Sequence, residues 1–231
     1  GLKLSFHNEA TGEKDEWFYT GHLGEYLTEQ VGKTECLPKE PITAKHGSEK
    51  DAVEWAVIWA PNLPAFIAES YVNLIPTSGG GTHVNGLRSG LSAAVREFAE
   101  FRNLLPRGVK LSPEDVWHGI SFVLSIRMKD PQFAGQTKER LASREAAAMV
   151  EAYARDSTAL WLNQHPDAGE RIAQYAIENA QERIKAAQKV TRKRAVAGPA
   201  LGIDGPGRAR RPVACPACSL DAERTTSHRV R

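Results

Sequence analysis

Apolar and polar residues alternate over 2–6 (LKLSF) and again over 16–20 (EWFYT), with Asn8, Thr11 and Gly12 between them, which predicts a hairpin. A short amphipathic segment follows at about 22–30. Residues 32–51 are polar and contain Gly and Pro, and read as a connector. AVEWAVIW (52–59) and SYVNLI (70–75) read as strands, separated by Pro61 and Pro64; Pro76 and the run Gly79, Gly80, Gly81 close the second. From 86 to 105, Leu87, Leu91, Ala94, Val95, Phe98, Phe101 and Leu105 recur at helical spacing. Ser112 followed by Pro113, Glu114 and Asp115 supplies an N-cap, a first-turn proline and an acidic first turn, so a short helix starts there. ISFVLSIRM (120–128) reads as a buried strand, 130–140 as a loop, and Ser143 as the cap of a helix reaching Trp161 or Asn163. His165, Pro166 and Asp167 break it. A last helix then runs over about 168–195, with Ile172, Ala176, Ile177, Ala180, Ile184 and Ala187 on one stripe. Its final Lys189, Arg192, Lys193 and Arg194 complement the helix dipole. The element order predicts an α+β fold in two parts. The first ~30 residues are too few for a domain and are expected to complete something that begins upstream.

Composition removes several classes. No stretch of the 231 residues approaches the ~20 apolar positions of a membrane span, and the N-terminus lacks the basic and apolar regions of a signal peptide. The 3 cysteines (Cys36, Cys215, Cys218) are too few for a disulfide framework and favour a reducing, cytoplasmic setting. The net charge of +2 hides an asymmetry: 181–231 is strongly basic and 1–180 acidic, which suggests a polyanionic partner, most simply nucleic acid. A solvated helix end and tail explain the charge equally well.

Candidate chemistry is sparse when read from residues alone. Ser78-Gly79-Gly80-Gly81-Thr82-His83 lies between a strand and a helix, where backbone N–H groups cradle anions. It lacks the Lys-Ser/Thr of a phosphate loop, so a flexible turn is the favoured reading. Gln136, Thr137 and Lys138 join a point charge to an amide donor beside Gly135, which suits a terminal phosphate; most such strings are solvated loops. Cys215 and Cys218 have zinc-ligand spacing, with only His228 as a companion. Trp17, Trp55, Trp59, Trp117 and Trp161 read as core or boundary residues. His7, His22, His46 and His118 stand isolated.

Three longer blocks carry more. ESYVNLIPT (69–77) with GGTH (80–83), RNLLPRG (102–108) and DPQFAGQTK (130–138) resemble the B subunits of type IIA DNA topoisomerases, the topoisomerase IV branch more than the gyrase branch. The likeness runs from residue 1 to about 201 and is densest over 59–141. The resemblance implies that 1–31 is the C-terminal end of an ATP-binding domain and 32–51 a linker. It makes 52–166 a transducer domain with a left-handed β-α-β crossover, an exception to a strong rule, and 167–197 a long exit helix. It further implies that Lys138, with Gln136 and Thr137, touches the γ-phosphate of ATP, whose Mg²⁺ complex is bound mainly by the upstream domain. Arg88 matches a position lining the DNA cavity. The implied partners are DNA, the topoisomerase A subunit and a second B subunit, with no membrane.

The upstream nucleotide motifs and the downstream acidic cleavage motif do not occur, so the resemblance assigns no catalytic or metal-ligating residue, and the chain is not expected to hydrolyse ATP or cut DNA alone. Beyond Leu201 the pattern stops. Residues 198–231, with 6 Arg, 4 Gly and 4 Pro and no aromatic, are expected to be disordered, or to be an out-of-frame or artificial tail with an accidental CxxC. Two other readings compete with the ATP-coupling fragment of a topoisomerase that relaxes and decatenates DNA: a standalone nucleic-acid-binding module, and a truncated subunit that only pairs with partners. The Gln136–Lys138 string separates them, since a pure binding module has no use for a γ-phosphate sensor.

Overall fold

The computed structural model describes residues 3–18, 21–47 and 51–196, with side chains to residue 189. The N-terminal alternation forms a hairpin of β1 (Lys3–His7) and β2 (Lys14–Phe18), registered as Leu4 with Trp17 and Phe6 with Asp15. Helix α1 (Leu23–Val31) follows. Next come β3 (Leu37–Gly47), β4 (Ala52–Trp59), β5 (Ala68–Val72), β6 (Ile75–Pro76), α2 (Thr82–Phe101), α3 (Pro113–Trp117), β7 (Ile120–Arg127), α4 (Arg144–Gln164) and α5 (Pro166–Val196). The five later strands make one mixed sheet in the order β3-β4-β7-β5-β6. β5 and β7 pair in parallel and all other neighbours are antiparallel, so α2 and α3 lie on a β-α-β crossover within an α+β fold. Residues 1–191 form one compact unit; of the second, 192–231, only the end of α5 is described. The tail expectation for 198–231 and the Cys215, Cys218 and His228 grouping lie outside the described residues.

Strand periodicity decides which side each residue serves. Val53, Trp55, Val57 and Trp59 of β4, with Phe122, Leu124 and Ile126 of β7, bury their side chains toward α2, α4 and α5. The intervening Ala56, Ile58 and Val123 pack beneath Leu27 and Val31 of α1. Both faces are therefore covered, which is why these strands read as nearly continuous apolar runs. The expectation groups α1 with the hairpin in 1–31, but α1 packs on the five-stranded sheet.

Two further expectations are corrected. The stretch 32–51, read as a connector, contains β3, an edge strand that pairs with β4 from Ile42–Val57 to Gly47–Ala52. Its prolines and charges suit an edge, where one row of backbone groups needs no partner. SYVNLI is not one strand: the chain reverses at Asn73 and Leu74, both with positive φ, so that Val72 faces Ile75. This is the backbone of a tight hairpin turn. The Asn73 amide holds it in place, donating from Nδ2 to Met128 O at 2.9 Å and accepting from Met128 N at 3.0 Å.

Helices α2 and α4 cross at a seam of small residues. A Cβ on Gly86 would collide with the Ala147 carbonyl, and one on Gly90 would sit 2.5 Å from Glu151 O. Without those two glycines the helix axes would have to separate and the core between them and the sheet would loosen. On α5, Ile172, Ala176, Ile177 and Ala180 are buried as the stripe predicts, but Ile184 is half-buried and Ala187 exposed. The buried stripe thus ends at about residue 184.

Gly86→Ala and Gly90→Ala are each expected to cost about 1–3 kcal/mol through overpacking, more than the ~1 kcal/mol that Ala offers over Gly in a helix. Thermal melts should show a lower Tm for both, with the exposed neighbour Ser89→Ala as the unaffected control.

Candidate functional site

Residues 132–142 fold as a closed hairpin. Ala142 N donates to Gln132 O at 2.7 Å and Ala134 N to Arg140 O at 2.8 Å, leaving residues 135–139 as the tip. Gln136, Thr137 and Lys138 are exposed on that tip. Gly135 and Lys138 both have positive φ (91° and 57°), a conformation that is uncommon for a lysine and places it on the turn itself. Lys138 Nζ lies 6.0 Å from the Phe133 ring centroid and forms no ion pair among the described residues. With Arg140 at the stem, residues 138–140 carry one net positive charge, and the tip presents its donors to solvent.

The glycine run holds this hairpin. Gly79 N donates to Glu139 O at 2.9 Å, Leu141 N to Gly80 O at 3.0 Å, and Thr82 N to Leu141 O at 3.1 Å. A Cβ at Gly81 (φ 136°) would overlap the backbone of Leu141, so only glycine permits this approach. The Gly79 and Thr82 amides of the run are spent on the hairpin's exit strand, and the Gly80 amide on Thr77 O at 2.9 Å. Two strings that the sequence separates by more than fifty residues form one unit: a cationic tip, a main-chain stem, and the first turn of α2.

Beneath the junction lies a polar brace that the residues alone did not reveal. His83 is fully buried; its Nε2 is 3.1 Å from Thr77 Oγ1, and Thr77 Oγ1 in turn donates to Ser70 O at 2.9 Å. Ser70 Oγ donates to Thr77 O at 3.0 Å. Ser70 Oγ also lies 2.7 Å from Thr77 Oγ1, and His83 Nδ1 is left without a partner. Burial pulls the His83 pKa down to about 4. Thr82 Oγ1 donates to Ser143 O at 2.6 Å, tying the start of α2 to the start of α4. Glu69 accepts from Tyr26 at 3.0 Å and Tyr71 at 2.8 Å; burial and this carboxylate push Tyr71 up to about 12. The polar residues of ESYVNLIPT and GGTH are internal cross-links. Their only sequence signal is density: seven hydrogen-bonding side chains (Glu69, Ser70, Tyr71, Asn73, Thr77, Thr82 and His83) in a short strand–turn–helix stretch.

Arg88 is elsewhere. It projects from α2 toward α3, pairs with Glu114 and lies 5.9 Å from the Trp117 ring centroid, half-buried. His118, which looked isolated, shares a 3.0 Å hydrogen bond with Tyr175 of α5. Trp55 and Trp59 are core, Trp117 and Trp161 pack at its margin, and Trp17 is exposed on the hairpin. Among the described residues no three His, Cys, Asp or Glu side chains gather as a metal site, and no helix is long and apolar enough to cross a membrane.

The sequence profile of the DNA gyrase B family matches residues 22–192. The chain belongs to the DNA gyrase B family. Its relatives include the B subunit of DNA topoisomerase 4 from Pseudomonas aeruginosa, 55% identical over 201 residues, and that from Escherichia coli, 51% identical; each alignment covers 87% of this chain and 32% of the relative. The chain therefore spans about a third of the length of these relatives. Among solved structures it resembles the topoisomerase IV ATP-binding domain of Francisella tularensis in complex with a small-molecule inhibitor. There the TM-score is 0.71 at 33% identity, covering 79% of this chain and 49% of that one. It also resembles the 43K ATPase domain of Thermus thermophilus gyrase B in complex with an aminocoumarin (TM-score 0.70, 25% identity, 83% and 51% covered). This DNA gyrase B family member is thus a topoisomerase IV B-like segment, as its three motif blocks imply. The family match begins at His22, just before α1, in keeping with the packing of α1 on the sheet.

Gly81→Ala is expected to break the bridge to Leu141 at a cost of about 2 kcal/mol or more, from strain plus backbone overlap. Hydrogen exchange should show the Thr82 and Leu141 amides losing protection while β4 and β7 keep theirs. For His83, the unfolded chain takes up its proton through the ordinary histidine range, but the folded chain resists until about pH 4. Stability is thus full above about pH 6.5 and declines below it, by about 2 kcal/mol between pH 7 and pH 5. Urea melts at the two pH values should show that loss, and His83→Gln should flatten it.

Proposed function

We propose that this chain is the ATP-coupling segment of a type II DNA topoisomerase of the topoisomerase IV kind, which senses the terminal phosphate of ATP and relays its presence to DNA strand passage. The observation that carries this reading is the cationic tip on a stem bonded by main-chain contacts to the first turn of α2. ATP, when bound, offers a terminal phosphate that is present before hydrolysis and gone afterwards. An exposed lysine without an acidic partner among the described residues, flanked by an amide and a hydroxyl, fits such a group: Lys138 supplies the point charge, and Gln136 and Thr137 the hydrogen bonds. The bulk of the nucleotide site and the ligands for Mg²⁺ are assigned to the ATP-binding domain of the relatives, not to these residues.

The chain's own part is mechanical. A pull on Lys138 is borne by the stem, because three main-chain hydrogen bonds and the Gly81–Leu141 approach leave it no slack. The stem passes it to α2, which moves with α4 because their glycine seam leaves no room for sliding. Contacts that exist only before hydrolysis then bias the position of the whole helical layer. The partners of this reading are DNA, the topoisomerase A subunit and a second B subunit, and its reaction is the relaxation and decatenation of DNA.

Arg88 belongs to the same reading as a cationic lining for passing DNA. Its pairing with Glu114 and contact with Trp117 favour a second role, as a brace between α2 and α3.

In a full-length B subunit, Lys138→Ala should lower kcat for ATP hydrolysis by about 10²-fold or more, the loss expected for one charged contact to a developing phosphate charge. Unchanged turnover would remove the role assigned to Lys138. Arg88→Ala should lower DNA-stimulated turnover at unchanged Tm if it lines a DNA path; a fall of about 1–2 kcal/mol in stability identifies the brace.

A further inference from the structure

Helix α3 is five residues long, yet two neighbouring carboxylates on it face two different helices. Glu114 pairs with Arg88 of α2. Asp115, 3% exposed, is gripped by Arg183 of α5, with Nε to Oδ1 at 2.7 Å and Nη2 to Oδ2 at 2.8 Å. The same Oδ2 accepts from Ser112 N at 2.7 Å and Ser112 Oγ at 2.8 Å, so the carboxylate that closes the capping box of α3 also fastens α5. Burial alone would raise the Asp115 pKa, but Arg183 and Ser112 hold it below its usual value. Arg183 adds a bond to Lys110 O at 3.2 Å.

The grip on α5 is periodic. Tyr175, Asn179 and Arg183 stand four residues apart on one helical face. Tyr175 bonds His118 at 3.0 Å, Asn179 Nδ2 donates to Asp115 O at 3.0 Å, and Arg183 closes the series. Gly119, with φ 73°, leaves room for the Tyr175 hydroxyl, which a Cβ there would approach to 2.7 Å. Beyond Arg183 the pattern ends: Ile184 is half-buried and residues 185–189 are exposed. Arg183 therefore sits where the buried part of the helix ends. In the other direction α3 is fixed to the sheet, since Trp59 Nε1 donates to Val116 O at 2.8 Å.

We infer that α3 is the coupling element between α2 and the exit helix, and that the Asp115–Arg183 pair is the positioning contact through which a shift of α2 redirects α5. The inference rests on the ATP-coupling reading for its biological meaning, but its structural content stands apart from it. A bidentate guanidinium–carboxylate pair suits the task, because it fixes direction as well as distance. The partners of Arg183 are Asp115 on α3 and Lys110 O just before it.

Two measurements test this. In the full-length B subunit assembled with its A subunit, Arg183→Ala should keep ATP turnover within about twofold while strand passage per ATP falls about 2- to 30-fold, the range over which residues in coupled networks act. Arg183→Lys, which keeps the charge and one contact, should fall between. An unchanged ratio, or equal loss of hydrolysis and strand passage, would overturn the coupling role. In the 231-residue chain, hydrogen exchange of Arg183→Ala should rise at least about tenfold in the α5 amides beyond Asn179, with β4, β7 and α2 unaffected. Unaltered protection there would sink the positioning contact, whatever the enzyme assays give. Should the alanine variant unfold throughout, the Lys variant decides by the same two readouts. A wild-type assembly without ATP-dependent strand passage would count against the proposed function and leave the exchange result to judge the contact.

Discussion

The approach of Gly81 to Leu141 is the constraint on which the functional reading of this chain depends. Two backbones lie so close that no side chain fits between them, and in that space a short parallel bridge forms. The hairpin that carries Lys138 is thereby a rigid extension of α2. A loop tied only by side-chain contacts would dissipate a displacement in rotamer changes; main-chain hydrogen bonds at about 3 Å allow far less. The requirement for glycine at 81 and the left-handed turn at Lys138 are what such a junction costs.

Around that junction the polar residues are arranged to keep it unique. Buried hydroxyls and an imidazole would be a liability in an apolar layer unless each found a partner. Ser70, Thr77 and His83 satisfy one another almost completely, with a single orphaned nitrogen, and hold the end of β5 against the start of α2. Asn73 and Thr82 do the same for the turn after β5 and for the start of α4. Apolar packing supplies most of the driving force, and these bonds select one register from several that would bury similar area. Helix α3 extends the logic to the far side of the helical layer, where it joins α2 and α5 through two successive acids.

Much of this was legible in the sequence, for local reasons. The β1–β2 hairpin, β4, β7 and the cores of α2, α4 and α5 follow from periodicity, because alternation and the helical repeat are properties of a few consecutive residues. The start of α3 was legible from Ser112 to Asp115, since a capping box lies wholly within four positions. The three motif blocks named the family, and the profile match agrees with them.

What only the tertiary structure decided involves residues far apart in the chain. β3 looked like a linker because an edge strand tolerates prolines and charges, and its strand character comes from β4 beside it. The turn at Asn73 and Leu74 was hidden in an apparently continuous strand because the group that stabilises it, the Met128 backbone, lies fifty-five residues away. The glycine run read as a flexible turn until Leu141 filled the space that its missing side chains leave. Arg183 was one of several basic residues on a helix until Asp115 faced it. Periodicity and local caps determined most of the elements, and the resemblance of the motif blocks pointed to the family. Contact across the fold determined which of their polar residues carry force, because a hydrogen bond or a close backbone approach belongs to two segments at once.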